Sequence, residues 1–271
     1  MKNKLNKNKI LANFLFILFL WTNLSWAQQI TEQPYIKIVT EHLPPFQIAT
    51  SSEQVSGFAT DVITAAMAET AYSFSIKIYP WSRSYHMALN NENTCIYSIA
   101  KTVEREHLFT WVNTIAERNA SFIGLASHEF NINSIEDAKQ YTTAVIRDDV
   151  THQLLLSRGF KEGVNLYVVN NTHSLLKLMV QRRGIDLILI DAFTVKHRAQ
   201  LNNLDPALFK KVFQLHKKPL DYYLACNVKT SPVIIEQIHR AINHVKNSGE
   251  INQIINKWQY PNIKVKNALS P

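Results

Sequence analysis

The stretch Cys95–Val112, CIYSIAKTVEREHLFTWV, contains the feature that decides the fold. Its first six residues, Cys95–Ala100, have the length and apolar, β-branched character of a buried strand. A polar segment follows, in which Thr102 is placed to cap a helix. Arg105 therefore lies just beyond the carboxyl end of a strand, where open α/β sheets bind ligands. A guanidinium there can hold a carboxylate with two hydrogen bonds, although a surface arginine paired with a neighbouring glutamate is the simpler interpretation of this stretch alone.

The residues before this stretch alternate between strand and helix patterns. An apolar strand comes first, a helical apolar spacing follows, and the order is repeated before Cys95. This alternation predicts a parallel sheet with covering helices. The predicted elements are strands at 35–40 and 74–79 and helices at 58–70 and 83–89.

The alternation restarts after a short apolar run at 122–126. About a hundred residues with the same rhythm follow, which is a normal size for a second α/β unit. The chain then closes with one strand and two helices. The predictions are a helix start at Ser134, strands at 142–146, 166–169, 185–190 and 222–228, and helices at 150–158, 172–182, 192–201, 232–246 and 250–258.

The first 27 residues have the pattern of a secretory signal peptide. Four lysines precede an apolar segment at 10–21, and Ser25–Ala27 offers a small-x-small cleavage site. The alternative is an uncleaved membrane anchor, but the apolar segment is short for a bilayer span. Because no cysteine follows it directly, we expect an exported mature chain without a lipid anchor. Cleavage would lower the formal net charge from +8 to +4 by removing four lysines and no acidic residue.

The remaining sequence argues against several classes of function. Basic residues are dispersed, so no nucleic-acid-binding surface is predicted. Only six glycines occur, and none forms a phosphate-binding GxGxxG or GxxxxGK[ST] loop. The ten histidines show no metal-ligand spacing. We therefore expect no cofactor and no metal.

The chain has two cysteines, Cys95 and Cys226, and both lie in strand patterns. In an oxidising compartment they could form a disulfide, whereas two buried thiols would satisfy the same pattern.

Four motifs, in order, resemble the periplasmic solute-binding proteins of amino-acid ABC transporters, the bacterial extracellular family 3. The resemblance covers Ile36–Trp258. The motifs are Glu41–Phe46 with Gly57 and Asp61, then Thr102–Arg105 as the T-x-x-R turn, Gly184–Asp191 as G-x-D-x-x-x-x-D, and Ser248–Trp258 as S-G-E…K-W.

The resemblance implies a two-lobe α/β periplasmic binding protein fold of type II, with a ligand cleft between lobes joined by two hinge strands. Carried over, lobe one comprises 28–122 plus 226–260, lobe two comprises 123–225, and 261–271 is a loose tail. The hinges would lie near 122–126 and 222–226, and hinge closure would bury the ligand. Cys95 and Cys226 would be antiparallel neighbours remote from the cleft, so that a bond is geometrically feasible.

The resemblance also implies roles for two residues. Arg105 would hold the α-carboxylate of an amino acid, and Asp191 would receive its α-ammonium from the other lobe. Asp191 also has the position of a helix N-cap, and one carboxylate could serve both purposes.

Other positions depart from the family pattern. Ala100 replaces a hydroxyl residue, Leu43 replaces a stacking ring, and Arg147-Asp148-Asp149 replaces a Gly-Thr pair. The two acids would repel a carboxylate unless Arg147 neutralises them. The segment Pro80–Tyr85 could supply the ligand contacts that are lost. Trp81 could equally fill the core, however, and Arg83 could lie on the surface. The candidate ligand-binding set is Leu43, Phe46, Trp81, Arg83, Ser98, Ala100, Arg105, Arg147, Asp149 and Asp191.

We therefore expect a monomeric, non-catalytic periplasmic protein that captures a small polar solute, an amino acid or related carboxylate, by hinge closure. Its partner would be an ABC permease or a sensor in the inner membrane. One alternative is a periplasmic dehydratase of the same fold acting on prephenate or arogenate, with Asp148, Asp149 or Asp191 as the acid. Another is an interaction module that no longer binds a ligand.

Overall fold

The computed structural model describes residues 33–50, 54–170, 175–181, 184–215 and 220–258. The predicted signal peptide and C-terminal tail lie outside these ranges. Within them are twelve strands: β1 Ile36–Thr40, β2 Ile48–Ala49, β3 Val55–Ser56, β4 Phe74–Ile78, β5 Thr94–Ala100, β6 Phe109–Arg118, β7 Ser121–Leu125, β8 Thr143–Ile146, β9 Leu166–Val169, β10 Leu187–Ile190, β11 Phe209–Gln214 and β12 Leu220–Asn227. The α-helices of the same ranges are α1 Phe58–Ala68, α2 Trp81–Asn90, α3 Val150–Ser157, α4 Leu175–Gln181, α5 Ala192–Leu201, α6 Pro232–Asn247 and α7 Glu250–Trp258.

The first sheet has the strand order β4-β1-β5-β12-β6. Strand β1 pairs in parallel with β4 and β5, which confirms the parallel sheet predicted from the alternation of strands and helices. Strand β12, from the far end of the chain, pairs antiparallel with both β5 and β6. All seven residues of β5 are buried, as expected for a central strand.

The helix predicted after Thr102 is wrong, because residues 103–108 form turns. Val103 is 83 % exposed and its neighbours are charged, so a helix here would have no apolar face to pack. The chain instead turns directly into β6, a ten-residue strand that the sequence reasoning missed.

The second sheet has the order β11-β7-β10-β8-β9. Strand β8 is parallel to β9 and β10, whereas β7 is antiparallel to β10 and β11. The chain passes from the first sheet to the second between Arg118 and Ser121, and it returns between Gln214 and Leu220. The segments expected as hinges, 122–126 and 222–226, lie largely within β7 and within β12 respectively, so the identity of the bending residues stays a prediction.

A disulfide joins Cys95 and Cys226, which are directly opposite each other on β5 and β12. Both residues are buried in the core between the first sheet and its helices α1 and α6. Cys95 lies near the start of β5, whereas the site residues follow the end of that strand. The bond therefore fastens the centre of the first sheet at the edge away from the site.

A second apolar cluster contains side chains from both sheets. Ile96 and Ile99 of β5 belong to it together with Ile123 of β7 and Ile188 of β10. This shared cluster brings the carboxyl ends of the central strands of the two sheets into proximity.

Candidate functional site

The site lies where the carboxyl ends of parallel strands from both sheets meet. Glu41 directly follows β1, and the Arg105 turn follows β5. On the second sheet, Asp149 follows β8 and Asp191 directly follows β10. This convergence fits the rule that α/β sheets bind ligands at the carboxyl ends of their strands.

A cavity of about 30 Å³, the inner chamber, lies between these strand ends. Five charged residues line it: Glu41, Arg105, Arg118, Asp149 and Arg198. All five are buried. Fully buried charged side chains are rare without partners, so their concentration at one cavity indicates a functional site.

Arg105 is 1 % exposed and is fixed on three sides. Its guanidinium lies 5.6 Å from the ring centre of Trp81 and 5.3 Å from that of Tyr85, which are cation–π distances. Its Nη2 donates a hydrogen bond of 3.0 Å to the main-chain carbonyl of Asp148. The rings and this carbonyl therefore hold the guanidinium in one orientation.

The same carbonyl of Asp148 accepts a second hydrogen bond, from the indole Nε1 of Trp81 at 2.8 Å. Asp148 has φ +60°, a left-handed conformation that aspartate adopts more readily than most residues. Of the two acids expected to face the cleft, Asp149 lines the chamber, whereas Asp148 contributes its main-chain carbonyl. Both donors belong to the first sheet and its connections, whereas Asp148 follows β8 of the second.

Arg118, at the end of β6, connects the two sheets in another way. Its Nη1 donates to the hydroxyl of Tyr222 at 2.6 Å, and its Nη2 donates to the carbonyl of Leu189 at 2.9 Å. Its Nε lies 3.7 Å from the Asp191 carboxylate. Burial alone would lower the pKa of Arg118, but the neighbouring Tyr222 and Asp191 outweigh it, so its pKa is raised and the guanidinium stays charged.

The two aspartates each cap a helix. The Asp191 carboxylate accepts from the main-chain N–H and the hydroxyl of Thr194 at the start of α5. The Asp149 carboxylate accepts from the N–H of His152 at 2.6 Å and from the hydroxyl of Thr151 at the start of α3. The N-cap role expected for Asp191 is therefore present, and both negative charges are stabilised by helix N-termini.

Glu41 and Arg198 complete the chamber. Burial, reinforced by the charge of Asp149, raises the pKa of Glu41 from 4.5 to about 8. Burial also lowers the pKa of Arg198 to about 10, although Glu41 opposes this shift. Glu41 is consequently mostly protonated at neutral pH, while Arg198 remains a cation.

Several guanidinium nitrogens at the site have no acceptor among the described residues. They are Nε and Nη1 of Arg105, Nε of Arg118, and Nε and Nη2 of Arg198. A buried donor without an acceptor costs about 1–3 kcal/mol, and more when the group is charged. The arrangement therefore favours a bound anion with several acceptor atoms, such as a carboxylate.

A larger cavity, the outer chamber, adjoins the inner one and has a volume of about 630 Å³. Arg105, Arg118, Val150 and Thr151 line both chambers. Most of the outer surface is apolar. Its size falls within the range of ligand pockets, whereas the inner chamber has room for little more than water.

The structure brings together most of the candidate residues. The inner chamber is lined by six of the ten: Leu43, Trp81, Ser98, Ala100, Arg105 and Asp149. Asp191 lies behind Arg118, and Phe46 lies in the core against the edge of the Tyr222 ring at 5.5 Å. Their contacts with a ligand stay a prediction.

Two candidates lie elsewhere. Arg83 is exposed, with its guanidinium 4.3 Å from the ring centre of Tyr79. Arg147 is also exposed, and its Nη1 lies 3.8 Å from Glu162. The cap interactions of Asp149, rather than Arg147, compensate the acid that lines the chamber.

The sequence reasoning missed four residues of the chamber wall, Glu41, Arg118, Arg198 and Tyr222. Two signals were available. Glu41 follows the first strand directly, as Asp191 follows β10. Arg198 is seven residues after Asp191, and this spacing corresponds to two helical turns, so both residues lie on the same side of α5. Arg118 and Tyr222 are diagonal neighbours on paired strands, a relationship that requires the sheet order.

Two further properties, metal binding and membrane crossing, concern the described residues as a whole. Within the ranges that the structure describes, no group of His, Cys, Asp and Glu side chains could hold a metal ion. Among the helices of those ranges, none has the length and apolar character needed to cross a bilayer.

The chain has the two-lobe fold of periplasmic binding proteins, with the cleft between two α/β sheets. The sequence pattern of the bacterial extracellular solute-binding proteins, family 3, matches residues 36–261, and the chain belongs to this family. A comparison with curated proteins gave no match.

Solved structures of low sequence identity share the fold. One is a histidine kinase sensor domain with similarity to periplasmic binding proteins, with TM-score 0.74 and 14 % identity over 85 % of this chain and 97 % of that chain. An ancestral arginine-binding protein bound to arginine has a TM-score of 0.71 and 18 % sequence identity, over 83 % of this chain and 97 % of that chain. A histidine-bound substrate-binding protein of an ABC uptake transporter from Streptococcus pneumoniae has a TM-score of 0.71 and 15 % sequence identity, over 83 % of this chain and 92 % of that chain.

Proposed function

We propose that this protein captures a small polar solute, an amino acid or a related carboxylate, in the periplasm by closure of two lobes. The observation that carries the proposal is the set of three buried arginines around the inner chamber, whose donors include five without an acceptor among the described residues. A ligand carboxylate would satisfy part of this set. The rings of Trp81 and Tyr85 hold Arg105 ready for that contact.

Closure follows from the dimensions of the site. An inner chamber of about 30 Å³ is too small to admit an amino acid, which supports a separation of the two sheets when a ligand reaches the donors of that chamber. The contacts of Trp81 and Arg105 with Asp148 would break on opening and reform on closing. The lobes proposed are 28–122 plus 226–260 and 123–225, with bending where the chain passes between the sheets.

The partner we propose is an ABC permease or a membrane sensor. Family membership supports a role in solute capture. The structural neighbours include both a kinase sensor domain and transporter binding proteins, so either partner is compatible with the fold. The signal-peptide pattern of residues 1–27 supports periplasmic localisation with cleavage.

The two aspartates of the site favour binding without catalysis. A dehydratase needs a carboxylic acid aimed at the leaving hydroxyl. The carboxylates of Asp149 and Asp191 are engaged at helix N-termini instead.

The test begins with the ligand. Native mass spectrometry of freshly purified mature protein, followed by denaturation, would identify a co-purifying solute. Calorimetric titration of that solute, or of a panel of amino acids and organic acids when none co-purifies, then compares Arg105→Lys with Arg83→Lys. The first variant keeps the charge but loses the planar fork, so we expect affinity to fall at least about ten-fold.

Arg83→Lys is the matched control, because Arg83 lies outside both chambers and should leave the affinity unchanged. Equal affinities of the two variants would contradict the assignment of the site. Absence of binding to every solute in the panel would contradict the proposed function.

A further inference from the structure

The acids at the site are poorly suited to receive an ammonium group. The Asp149 carboxylate accepts one shared hydrogen bond from the Thr151 hydroxyl, which lies within hydrogen-bond distance of both carboxylate oxygens. One of them also accepts from the main chain of α3. Both oxygens of Asp191 accept from Thr194, and Arg118 lies on its remaining side at 3.7 Å. Each carboxylate is therefore already engaged by donors of its own helix, and Asp191 also faces a guanidinium, which makes both weaker acceptors for a ligand ammonium.

Glu41 does not fill this role either. It is buried among guanidinium groups and Asp149, and its raised pKa of about 8 leaves it mostly neutral at pH 7. With three arginines and two aspartates charged, the cluster then carries one net positive charge. A monoanion would balance that charge, whereas a zwitterion would bring an ammonium without a counterion.

The outer chamber indicates what the rest of the ligand is like. Seven aliphatic residues contribute to its wall: Val103, Leu108, Ala120, Val150, Leu154, Leu215 and Leu220. Glu104 also lines it, but this side chain is exposed, where an ion pair contributes little. Because Arg105 and Arg118 border both chambers, one ligand can place a charged end beside them and an uncharged body in the outer space.

We infer that the ligand of this site is an organic monocarboxylate with an apolar body and without an α-ammonium group. The carboxylate would take the vacant donors of the arginines, and the body would occupy the outer chamber. The inference rests on the proposed function and narrows its ligand class from amino acids and related carboxylates to the carboxylates alone.

Matched pairs of probes test the inference. Ligand-stripped mature protein is titrated calorimetrically at pH 7 with 3-phenylpropanoate against phenylalanine, and with 4-methylpentanoate against leucine. Within each pair the carbon skeleton is the same and only the ammonium differs. We expect each deaminated acid to bind at least about ten-fold more tightly than its amino acid.

The outcomes separate the two proposals. Equal or tighter binding of the amino acids would overturn this inference and leave the proposed function intact. Failure of both series, together with failure of the wider solute panel, would overturn both. Tighter binding of the deaminated acids supports both.

A pair of variants on α3 tests the position of the apolar body. Leu154→Ser changes the wall of the outer chamber, whereas Leu156→Ser changes a residue on the same helix that is 41 % exposed and does not line it. We expect Leu154→Ser to weaken binding of 3-phenylpropanoate about five-fold or more, since apolar contact is lost. Leu156→Ser should retain the wild-type affinity, and equal effects of the two variants would overturn the placement.

Circular dichroism melting establishes that both variants are folded. If Leu154→Ser does not fold, the comparison of matched probes on the wild-type chain still decides the inference.

Discussion

Trp81 donates its indole N–H to the main-chain carbonyl of Asp148 over 2.8 Å, so a helix of the first sheet is bonded to a turn of the second. The contact joins parts of the chain that are 67 positions apart in sequence. It can exist only while the two sheets are close together. Trp81 therefore contributes to the closed arrangement as well as to the wall of the inner chamber.

Replacing Trp81 by Phe should weaken ligand binding. The variant keeps an aromatic ring beside Arg105 but loses the N–H donor, which costs the closed state about 0.5–1.5 kcal/mol. Affinity measured by calorimetry should fall by roughly two- to ten-fold, because a smaller fraction of the protein is closed.

Trp111→Phe provides the control for this prediction. Trp111 also donates its indole N–H to a carbonyl, that of Glu106 at 2.9 Å, but both residues belong to the first sheet and its preceding turn. The Trp111→Phe variant should bind the ligand with the affinity of the wild type. A similar loss in the two variants would show that Trp81 does not act through the second sheet.

Stability should fall with rising pH because of Glu41. Its pKa is raised from 4.5 to about 8 in the fold, so between these values the folded chain holds a proton that the unfolded chain has released. By linkage, the free energy of unfolding decreases as pH rises through this window, by an amount on the order of a few kcal/mol. Glu41→Gln should remove this part of the slope in urea titrations between pH 5 and about 8.

The exposed residue Glu92 provides the matched control, and Glu92→Gln should keep the slope of the wild type. Parallel curves for wild type and Glu41→Gln would mean that Glu41 ionises in the fold as it does in water.

Removing the disulfide should lower stability without altering the site. The bond between Cys95 and Cys226 joins positions 131 residues apart, and loss of such a link typically costs about 2–5 kcal/mol. Urea unfolding of the Cys95→Ala, Cys226→Ala double variant measures this cost. Because both cysteines are buried, dithiothreitol should leave the native protein unaffected and should reproduce the variant only when denaturant is present. Reduction of the native protein at the same rate would contradict the buried position.

Gly57→Ala should be strongly destabilising, because Gly57 has φ +129° and an added Cβ would lie 2.3 Å from the carbonyl oxygen of Phe46. We expect a loss of at least about 3 kcal/mol. Gly163→Ala isolates the backbone contribution, since Gly163 has φ +73° and no atom within 4 Å of an added Cβ. That variant should lose only about 1–2 kcal/mol in the same urea titration. Equal losses would mean that the approach of Phe46 is relieved at no cost.

The sequence predicted the central strands well because their burial leaves a continuous apolar run, as in β5 and β10. It missed β6 and β11, which lie at the edges of their sheets and mix charged with apolar residues. The composition of β6 and β11 therefore resembles that of loops, whereas the edge strands β4 and β9 keep a strand pattern and were predicted.

Two residues of the candidate site were predicted because each lies a few positions beyond the end of a recognisable strand. Arg105 and Asp149 met this condition, and both line the chamber. Arg118 did not, because its strand was missed, and Arg198 lies two turns into α5, where its spacing from Asp191 is the one signal in the sequence. Individual side chains reach the chamber through contacts between distant segments, and local sequence patterns do not encode those contacts.

The position of β12 between β5 and β6 also has a consequence for the order in which the chain can fold. Every strand of the second sheet lies between residues 121 and 214, so that sheet can assemble as soon as this continuous segment has been synthesised. The first sheet must wait for Leu220–Asn227, because the position between β5 and β6 stays empty until then. Synthesis therefore exposes the edges of β5 and β6 for the time needed to deliver about a hundred more residues, a period in which chaperone protection matters most.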